Sequence, residues 1–314
     1  MLTLRSTFLQ MCLRIGAIVA SPSSSLQDVR PYVVCAILRN IRFTPETYKS
    51  FIDMQDKLHQ NLCRRRTLVA IGTHDLDTLT PPFTYEALAP EDISFVPLGQ
   101  EREFRADELM EFYRTDPSVK HIKPYVGIIA DKPRYPVFYD QNRTLLSLPP
   151  IINGEHSKIK LDTTNVFIEC TATDLTKAHI VLNMMVTMFS EYCDPQFTVE
   201  PVKVEYQNPE QSESYVTPDL SAREMRATMA QINGTAGISI SPEEAAHLAT
   251  KMQLQARPDG DGILCRVPAT RSDILHAMDV VEDVAIAYGY NRIATTLPQR
   301  MTVGREQPVN QLCV

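Results

Sequence analysis

The side chains best suited to chemistry lie in one loop and one strand near the middle of the sequence. The loop, PPIINGEHSKI at residues 149–159, brings an amide, a carboxylate, an imidazole, a hydroxyl and an amine close together. The strand, IECTATD at residues 168–174, directs Glu169, Thr171 and Thr173 to one face because side chains alternate along a strand. A half-exposed strand and a polar surface loop would look the same. The residues alone therefore leave a binding site and a solvated surface equally open.

The sequence around this strand also limits the mechanism. A helix is predicted to begin directly after it, at Asp174, where free backbone N–H groups could bind a ligand carbonyl or phosphate. The sequence contains no glycine-rich phosphate loop, no Gly-x-Ser-x-Gly and no His-Glu-x-x-His motif. Its seven cysteines include no closely spaced pair. Covalent and zinc-dependent mechanisms therefore lack their usual signatures, and a reducing compartment fits the cysteine pattern.

A second candidate site is acidic and lies in the last predicted helix, residues 272–287. Asp279, Glu282 and Asp283 fall on one face at spacings of three and four. Like charges so placed repel each other by roughly a few tenths of a kcal/mol per pair, unless a cation lies among them. An oxygen-only cluster suits magnesium. From the residues alone, a solvated acidic face is the favoured alternative.

The elements that must position the loop and strand form a mixed pattern. The predicted strands share short apolar runs and cover residues 31–38, 67–71, 135–140, 144–148, 166–171 and 197–206. Thr44-Pro45 predicts a helix start, and Asp174 predicts the cap of a second helix. Residues 80–132 are rich in proline and charge, which predicts mostly irregular structure around one helix at residues 106–114.

A smaller module is predicted after a polar linker. It has a helix at residues 222–232, a helix starting at Ser241-Pro242, a hairpin with arms at 253–256 and 263–267, and the last helix. The predicted fold class is α+β, with a winged-helix-like second module. The predicted divisions are an unassigned segment 1–29, a first module 30–206, a linker 207–217, the second module 218–298 and a connection 299–314.

Composition excludes some classes of partner. The chain has 314 residues, 44% of them hydrophobic, which suits about two globular domains. No apolar run approaches the roughly 18 residues of a membrane span, so no membrane partner is expected. The net charge of −7 gives no overall attraction for nucleic acid, so any RNA contact must be local. Residues 1–29 resemble a targeting peptide in their early arginines and serine run, but an unstructured start is favoured.

Five ordered strings carry a resemblance across residues 30–298. They are VAIGTHDLDTL, PPIINGEHSKI, NVFIECTATD, MFSEYC and VVEDVAIAYGYNRI. The sequence resembles the beta subunit of cytosolic phenylalanyl-tRNA synthetases. The resemblance implies that the first module is a tRNA-editing domain of the B3/B4 type, which hydrolyses tyrosine wrongly attached to the phenylalanine tRNA. It implies that the second is a magnesium-site domain of the B5 type.

The resemblance also implies residue roles and partners. The editing pocket would be lined by Ser147, Asn153, Lys158, Glu169 and Thr171. A magnesium ion shared with the alpha subunit would be held by Asp273, Asp279, Glu282 and Asp283. The chain would join an alpha2beta2 heterotetramer that binds phenylalanine tRNA and attaches phenylalanine to it. The holoenzyme would use ATP, for which this chain has no recognisable motif, and the amino-acid-activating site would lie on the alpha subunit.

Two departures from the family pattern keep alternatives open. The family has a further module before residue 30 and a catalytic-like domain after the second module, and the sequence shows neither. A free-standing aminoacyl-tRNA deacylase and a non-catalytic RNA-binding or scaffold fragment are therefore the rival functions. The expected location is cytoplasmic, with a mitochondrial location as the alternative suggested by the first 29 residues.

Overall fold

The computed structural model describes residues 18–20, 26, 29–206 and 214–295. The chain divides into two compact units between Ser221 and Ala222. Helices and mainly antiparallel sheets make up both, which confirms the α+β class. Within the described ranges, no helix is both long enough and apolar enough to cross a membrane.

The first unit is built on strands and a few helices. Its strands in chain order are β1 (Ile18–Ala20), β2 (Tyr32–Leu38), β3 (Val69–Asp75), β4 (Thr84–Leu88), β5 (Ser94–Phe95), β6 (Phe104–Arg105), β7 (Tyr135–Tyr139), β8 (Leu145–Leu148), β9 (Ile152–Asn153), β10 (Val166–Ala172), β11 (Glu200–Tyr206) and β12 (Ser214–Thr217). Its helices are α1 (Pro45–Gln60), α2 (Ala106–Thr115), α3 (Lys123–Val126) and α4 (Leu175–Phe189).

Most of these strands join one sheet in the order β3-β10-β2-β11-β1-β4-β7-β8-β9, with β12 also paired to β11. Helices α1 and α4 pack on one face of the β3-β10-β2 region, where Ile168 and Cys170 join the buried core. On the opposite face, Phe167 joins a second core cluster with residues of β4, β7 and β8, and its ring packs against Phe83 and Phe138. Strand β10 is thus covered on both sides, and its alternation delivers Glu169 to the face opposite the helices.

Local sequence explains the helix starts. The Thr44 side chain accepts a hydrogen bond from the Thr47 backbone N–H, and the Thr47 hydroxyl accepts one from the Thr44 backbone N–H. Pro45 occupies the first turn of α1, as predicted. Asp174 caps α4 by accepting from the Lys177 backbone N–H. These caps fix where the two helices leave strands β2 and β10.

Over residues 222–295, the second unit contains a three-stranded sheet and three α-helices. The strands are β13 (Arg223–Thr228), β14 (Gln255–Asp259) and β15 (Gly262–Val267), in the order β13-β15-β14. The helices are α5 (Met229–Ala236), α6 (Pro242–Lys251) and α7 (Ala277–Tyr288). The hairpin and the last two helices were predicted. A helix at residues 222–232 was wrong, because residues 223–228 pair with β15 and the helix begins only after its cap, Thr228.

Three other expectations change. Residues 80–132 contain β4, which is central to the sheet, so that region is less irregular than predicted. Residues 214–217 of the predicted linker form β12, paired with β11. Ile18–Ala20, in the segment expected to be unstructured, pairs in parallel with both β11 and β4. The predicted connection 299–314 lies outside the described residues.

Candidate functional site

Glu169 is a buried carboxylate on the strand next to the edge strand β3. It lies on β10 between Gly72 of β3 and Cys35 of β2, and is only 1% exposed. Burial of a carboxylate is costly unless hydrogen bonds compensate. The Ser147 hydroxyl on β8 donates to Glu169 Oε1 at 2.6 Å. The solvent-exposed face considered from the sequence is therefore wrong for Glu169 and for Thr171, which is fully buried.

An imidazole faces the same carboxylate. His74 Nε2 lies 3.8 Å from Glu169 Oε1, and both side chains are buried. The other ring nitrogen, Nδ1, lies 2.8 Å from the hydroxyl oxygen of buried Ser157. Among the described residues, Glu169 Oε2 and His74 Nε2 have no hydrogen-bond partner. Buried polar atoms are rarely left unpaired, and such exceptions are typical of functional sites.

A cavity of about 110 Å³ opens beside this group, at the free edge of β3. It lies between α1, the edge of β3 and the loop from β8 to β9. Its lining includes carboxylate, hydroxyl, amide, imidazole and guanidinium groups, which belong to Gln55, His59, Arg66, Ser147, Asn153 and Glu169. Gly72 also lines it, together with the apolar run Pro149–Ile152. The cavity is thus apolar along one wall and polar at a few placed points, as ligand sites commonly are.

Side chains complete the unpaired edge of β3. The Ile71 backbone N–H donates to His59 Nε2 at 2.9 Å, and Gln55 Nε2 donates to the Ile71 carbonyl at 3.0 Å. Asn153 Nδ2 lies 3.5 Å from the Thr73 carbonyl. Burial, followed by the charges of Arg66 and Arg30, lowers the pKa of His59 well below its usual 6.5. A neutral ring is what an acceptor of a backbone N–H requires.

Arg66 supplies the positive charge at the cavity. Its backbone φ is 64°, and the φ angles of Arg64 and Arg65 also lie in the left-handed region. Arg66 Nη1 donates to the Ile151 carbonyl at 3.0 Å, and its guanidinium lies 4.3 Å from the centre of the Tyr125 ring. Burial lowers the pKa of Arg66. The arginine thereby ties the loop after α1 to the loop that forms the cavity wall.

The structure gathers three of the five predicted pocket residues. Ser147, Asn153 and Glu169 all border the cavity. Thr171 does not, because buried Arg30 covers it, with Nη2 donating to the Thr171 carbonyl at 2.8 Å. Lys158 is exposed and pairs with Glu155 at 3.2 Å. Those two positions therefore stand apart from the cavity in this conformation.

The acidic residues of the second unit have other partners. Asp279 Oδ2 accepts from the backbone N–H groups of Leu275 and His276, both at 2.7 Å. Arg271 Nη2 lies 2.7 Å from Asp273 Oδ2 and 2.8 Å from Asp283 Oδ2. Burial raises the pKa of Asp283, whereas hydrogen bonds from backbone N–H groups lower that of Asp279.

Glu282 is exposed and stands apart from these contacts. In the part of the chain that the structure describes, no three His, Cys, Asp or Glu side chains converge to hold a metal ion. The four predicted magnesium ligands therefore do not fit that ion as they are arranged here. Arg271 pairs with both Asp273 and Asp283 in this arrangement.

Family models match both units. A B3/4 domain model matches residues 29–194, and a tRNA synthetase B5 domain model matches residues 225–290. A solved N-terminal fragment of the phenylalanyl-tRNA synthetase beta subunit from Pyrococcus horikoshii has a TM-score of 0.78 and 34% sequence identity. The match covers 87% of this chain and 75% of that one. The chain belongs to the phenylalanine–tRNA ligase beta subunit family.

Curated relatives agree with this membership. The phenylalanine–tRNA ligase beta subunit of Drosophila melanogaster is 54% identical over 289 residues, which are 92% of this chain and 48% of the relative. The cytoplasmic beta subunit of Arabidopsis thaliana is 57% identical over 275 residues, 86% of this chain and 45% of the relative. The chain thus spans about half the length of these curated relatives. The resemblance carried by the five strings is confirmed.

Several residues at or beside the cavity were not predicted from the sequence. Gln55 and His59 are four residues apart on α1, a spacing that places them on one helix face. Gly72 and His74 stand in the VAIGTHD strand, where the glycine and the imidazole were visible signals. What the sequence lacked was the pairing of β3 with β10, which sets both beside Glu169.

Proposed function

We propose that this chain is the editing-competent part of a phenylalanine–tRNA ligase beta subunit. In this proposal it acts with an alpha subunit in attaching phenylalanine to its tRNA, and its first unit hydrolyses tyrosine wrongly attached to that tRNA. One observation carries the editing role: buried Glu169 has an unpaired oxygen and lies at a cavity lined by Ser147 and Asn153. The names of the relatives support the subunit role.

Selectivity explains why a carboxylate is needed. An apolar pocket that accepts phenylalanine cannot strongly reject tyrosine, which only adds a hydroxyl, so a second site must remove the error. A buried carboxylate accepts a hydrogen bond from the phenol. Phenylalanine, which has no hydroxyl, would leave the Oε2 atom of Glu169 desolvated and without a hydrogen bond, a loss of about 1–3 kcal/mol in binding free energy. The editing site therefore prefers the amino acid that the synthetic site fails to exclude.

The proposed reaction is attack of a positioned water on the ester carbonyl. The bond between that carbonyl carbon and the tRNA ribose oxygen breaks, leaving free tyrosine and a ribose hydroxyl. Ser147 is not proposed as the nucleophile, because its hydroxyl donates to Glu169, the carboxylate that this proposal assigns to the phenol of tyrosine. Asn153 orients the ester from the cavity wall. Exposed Lys158 is proposed to contact the tRNA end outside the cavity, and buried Thr171 to hold β10 through Arg30.

The finer assignments are also proposals. We infer an alpha2beta2 heterotetramer, ATP consumed by the holoenzyme, and a cytoplasmic location, the last supported by the name of the Arabidopsis relative, a cytoplasmic beta subunit. A magnesium ion at the acidic group would require Arg271 to release Asp273 and Asp283, because their carboxylates are paired with it here. No step of the editing reaction depends on that ion.

Deacylation of mischarged tRNA tests the proposal directly. The purified chain is mixed with tyrosine-charged phenylalanine tRNA, with and without the alpha subunit, and released tyrosine is counted over time. Release that exceeds the spontaneous rate, together with capture of the alpha subunit by the tagged chain, is the expected result. Release without capture would favour a free-standing deacylase. If the chain neither released tyrosine nor captured the alpha subunit, that result would contradict the proposal.

A further inference from the structure

Three buried side chains form a connected line beneath the cavity. Ser157 and His74 are 0% exposed and Glu169 is 1% exposed. The Ser157 hydroxyl oxygen lies 2.8 Å from His74 Nδ1, and His74 Nε2 lies 3.8 Å from Glu169 Oε1. Ser157 belongs to the loop after β9, His74 to β3 and Glu169 to β10. Three separate elements therefore contribute to one buried polar line.

The line would not form without Gly72. A Cβ atom at this position would lie 2.3 Å from Glu169 Oε1 and 2.9 Å from His74 Nε2. Real side chains do not approach that closely, so only glycine leaves both groups where they are. Its backbone φ is not in the left-handed region, so the requirement here is space and not backbone freedom.

Other groups near Glu169 are already occupied. The Arg30 guanidinium donates to the Thr171 carbonyl and to the Arg66 and Thr67 carbonyls, at 2.8, 3.2 and 3.3 Å. The Ser147 hydroxyl already donates to Glu169 Oε1. His74 is thus the neighbour with a free ring nitrogen beside the carboxylate, within the described residues.

We propose that His74 is a positioning residue for Glu169, and that Ser157 fixes its ring. This inference rests on the proposed function. Ser157 holds Nδ1, which sets the ring plane and presents Nε2 to the carboxylate. The imidazole in turn packs beside the carboxylate, at 3.8 Å from Oε1, and limits the rotation of Glu169, which keeps Oε2 free for the phenol of tyrosine. His74 therefore determines the preference for tyrosine over phenylalanine without touching the ester.

A positioning role makes a separable kinetic prediction. Loss of the ring lock lets the carboxylate turn, which weakens the hydrogen bond to the phenol but leaves the ester and its water in place. Ser157→Ala and His74→Ala should each reduce the ratio of tyrosine release to phenylalanine release about tenfold. The change should appear in KM for tyrosyl-tRNA, with kcat for phenylalanyl-tRNA unchanged. Ser157→Thr, which keeps the hydroxyl, should restore most of the preference.

The matched control is His179→Gln. His179 is a half-buried histidine on α4, against the Tyr215 ring and not at the cavity. That variant should retain the wild-type ratio. If Ser157→Ala and His74→Ala keep the wild-type ratio while Glu169→Ala loses it, the inference fails and the proposed function survives.

A second measurement needs no tRNA. In ¹⁵N spectra of histidine-labelled chain, the His74 ring resonances should move in Glu169→Gln and in Ser157→Ala, while those of His179 stay fixed. This shift would support the link between the three residues even if the chain released no tyrosine. A lack of tyrosine release would contradict the proposed function but not this link. Unmoved His74 resonances in both variants would overturn the inference.

Discussion

At Glu169, the environment of one residue explains both a stability cost and a function. Its Oε1 is paired with Ser147, whereas Oε2 has no partner among the described residues. An unpaired buried carboxylate oxygen costs folding energy, and a ligand that donates a hydrogen bond recovers that energy on binding. The site therefore favours a ligand with a hydroxyl over one without.

The tight space above Gly72 gives a sharp test at the same scale. Gly72→Ala places a methyl group against Glu169 and His74, so the carboxylate must move. We expect tyrosine release to slow at least about tenfold, and the free energy of unfolding to fall by about 1–3 kcal/mol. Gly127→Ala is the control, since its added Cβ would meet no atom within 4 Å. Equal tyrosine release by the two variants would show that the space is not critical.

His59 predicts a pH dependence of stability. Its pKa is lowered well below 6.5 by burial, so the unfolded chain binds the proton more readily than the folded one. Its contribution to stability is complete above about pH 6.5 and is lost as the pH falls towards the folded-state pKa, with a slope of at most about 1.4 kcal/mol per pH unit. Urea unfolding of wild type and His59→Gln at pH 7.5 and 5.5 measures this. A difference between the proteins that does not change with pH would contradict the assignment.

At the scale of elements, local signals were enough where they are strong. Thr44-Pro45 and Asp174 start helices as predicted, and the arms of both hairpins lie where the apolar runs indicated. Strand β13 was missed because half of REMRAT is charged, and its conformation depends on pairing with β15 about 40 residues later. The cavity was missed for the same reason: α1, β3 and β8 meet only after the chain folds.

Asp279 gives an element-scale prediction. Its carboxylate accepts two backbone N–H groups at the start of α7, so Asp279→Ala should loosen the first turn of that helix. Faster amide hydrogen exchange in a peptide covering residues 275–285 is the expected outcome. Glu282→Ala is the control, because that side chain is exposed on the same helix. Unchanged exchange in Asp279→Ala would contradict a capping role for this carboxylate.

On the scale of the whole molecule, β1 joins two halves of the large sheet. Ile18–Ala20 lies between β11 and β4, and Leu26 is buried in the core between the sheet halves. From the sequence, residues 1–29 stand outside the first module, because three residues have too little pattern to predict a strand. The strands that pair with β1 lie more than 60 residues away in the sequence, so no local pattern indicates the pairing.

Removing β1 should therefore destabilise the first unit. Deletion of residues 1–25 is expected to lower the midpoint of thermal unfolding, and Val19→Pro should do so as well, because proline cannot donate to a neighbouring strand. Val19→Ala keeps the backbone donor and serves as the comparison. If the deletion left the midpoint unchanged, the strand would contribute nothing measurable to the fold.

The preference for tyrosine is the central claim, and side-by-side deacylation tests it most directly. Initial rates of amino-acid release are measured for phenylalanine tRNA charged with tyrosine or with phenylalanine, using the wild-type chain and Glu169→Ala. The account predicts that the wild-type chain releases tyrosine about 5- to 150-fold faster, the ratio equivalent to about 1–3 kcal/mol, and that Glu169→Ala loses most of this preference. Equal rates for the two charged tRNAs with the wild-type chain, or a full preference in Glu169→Ala, would contradict it.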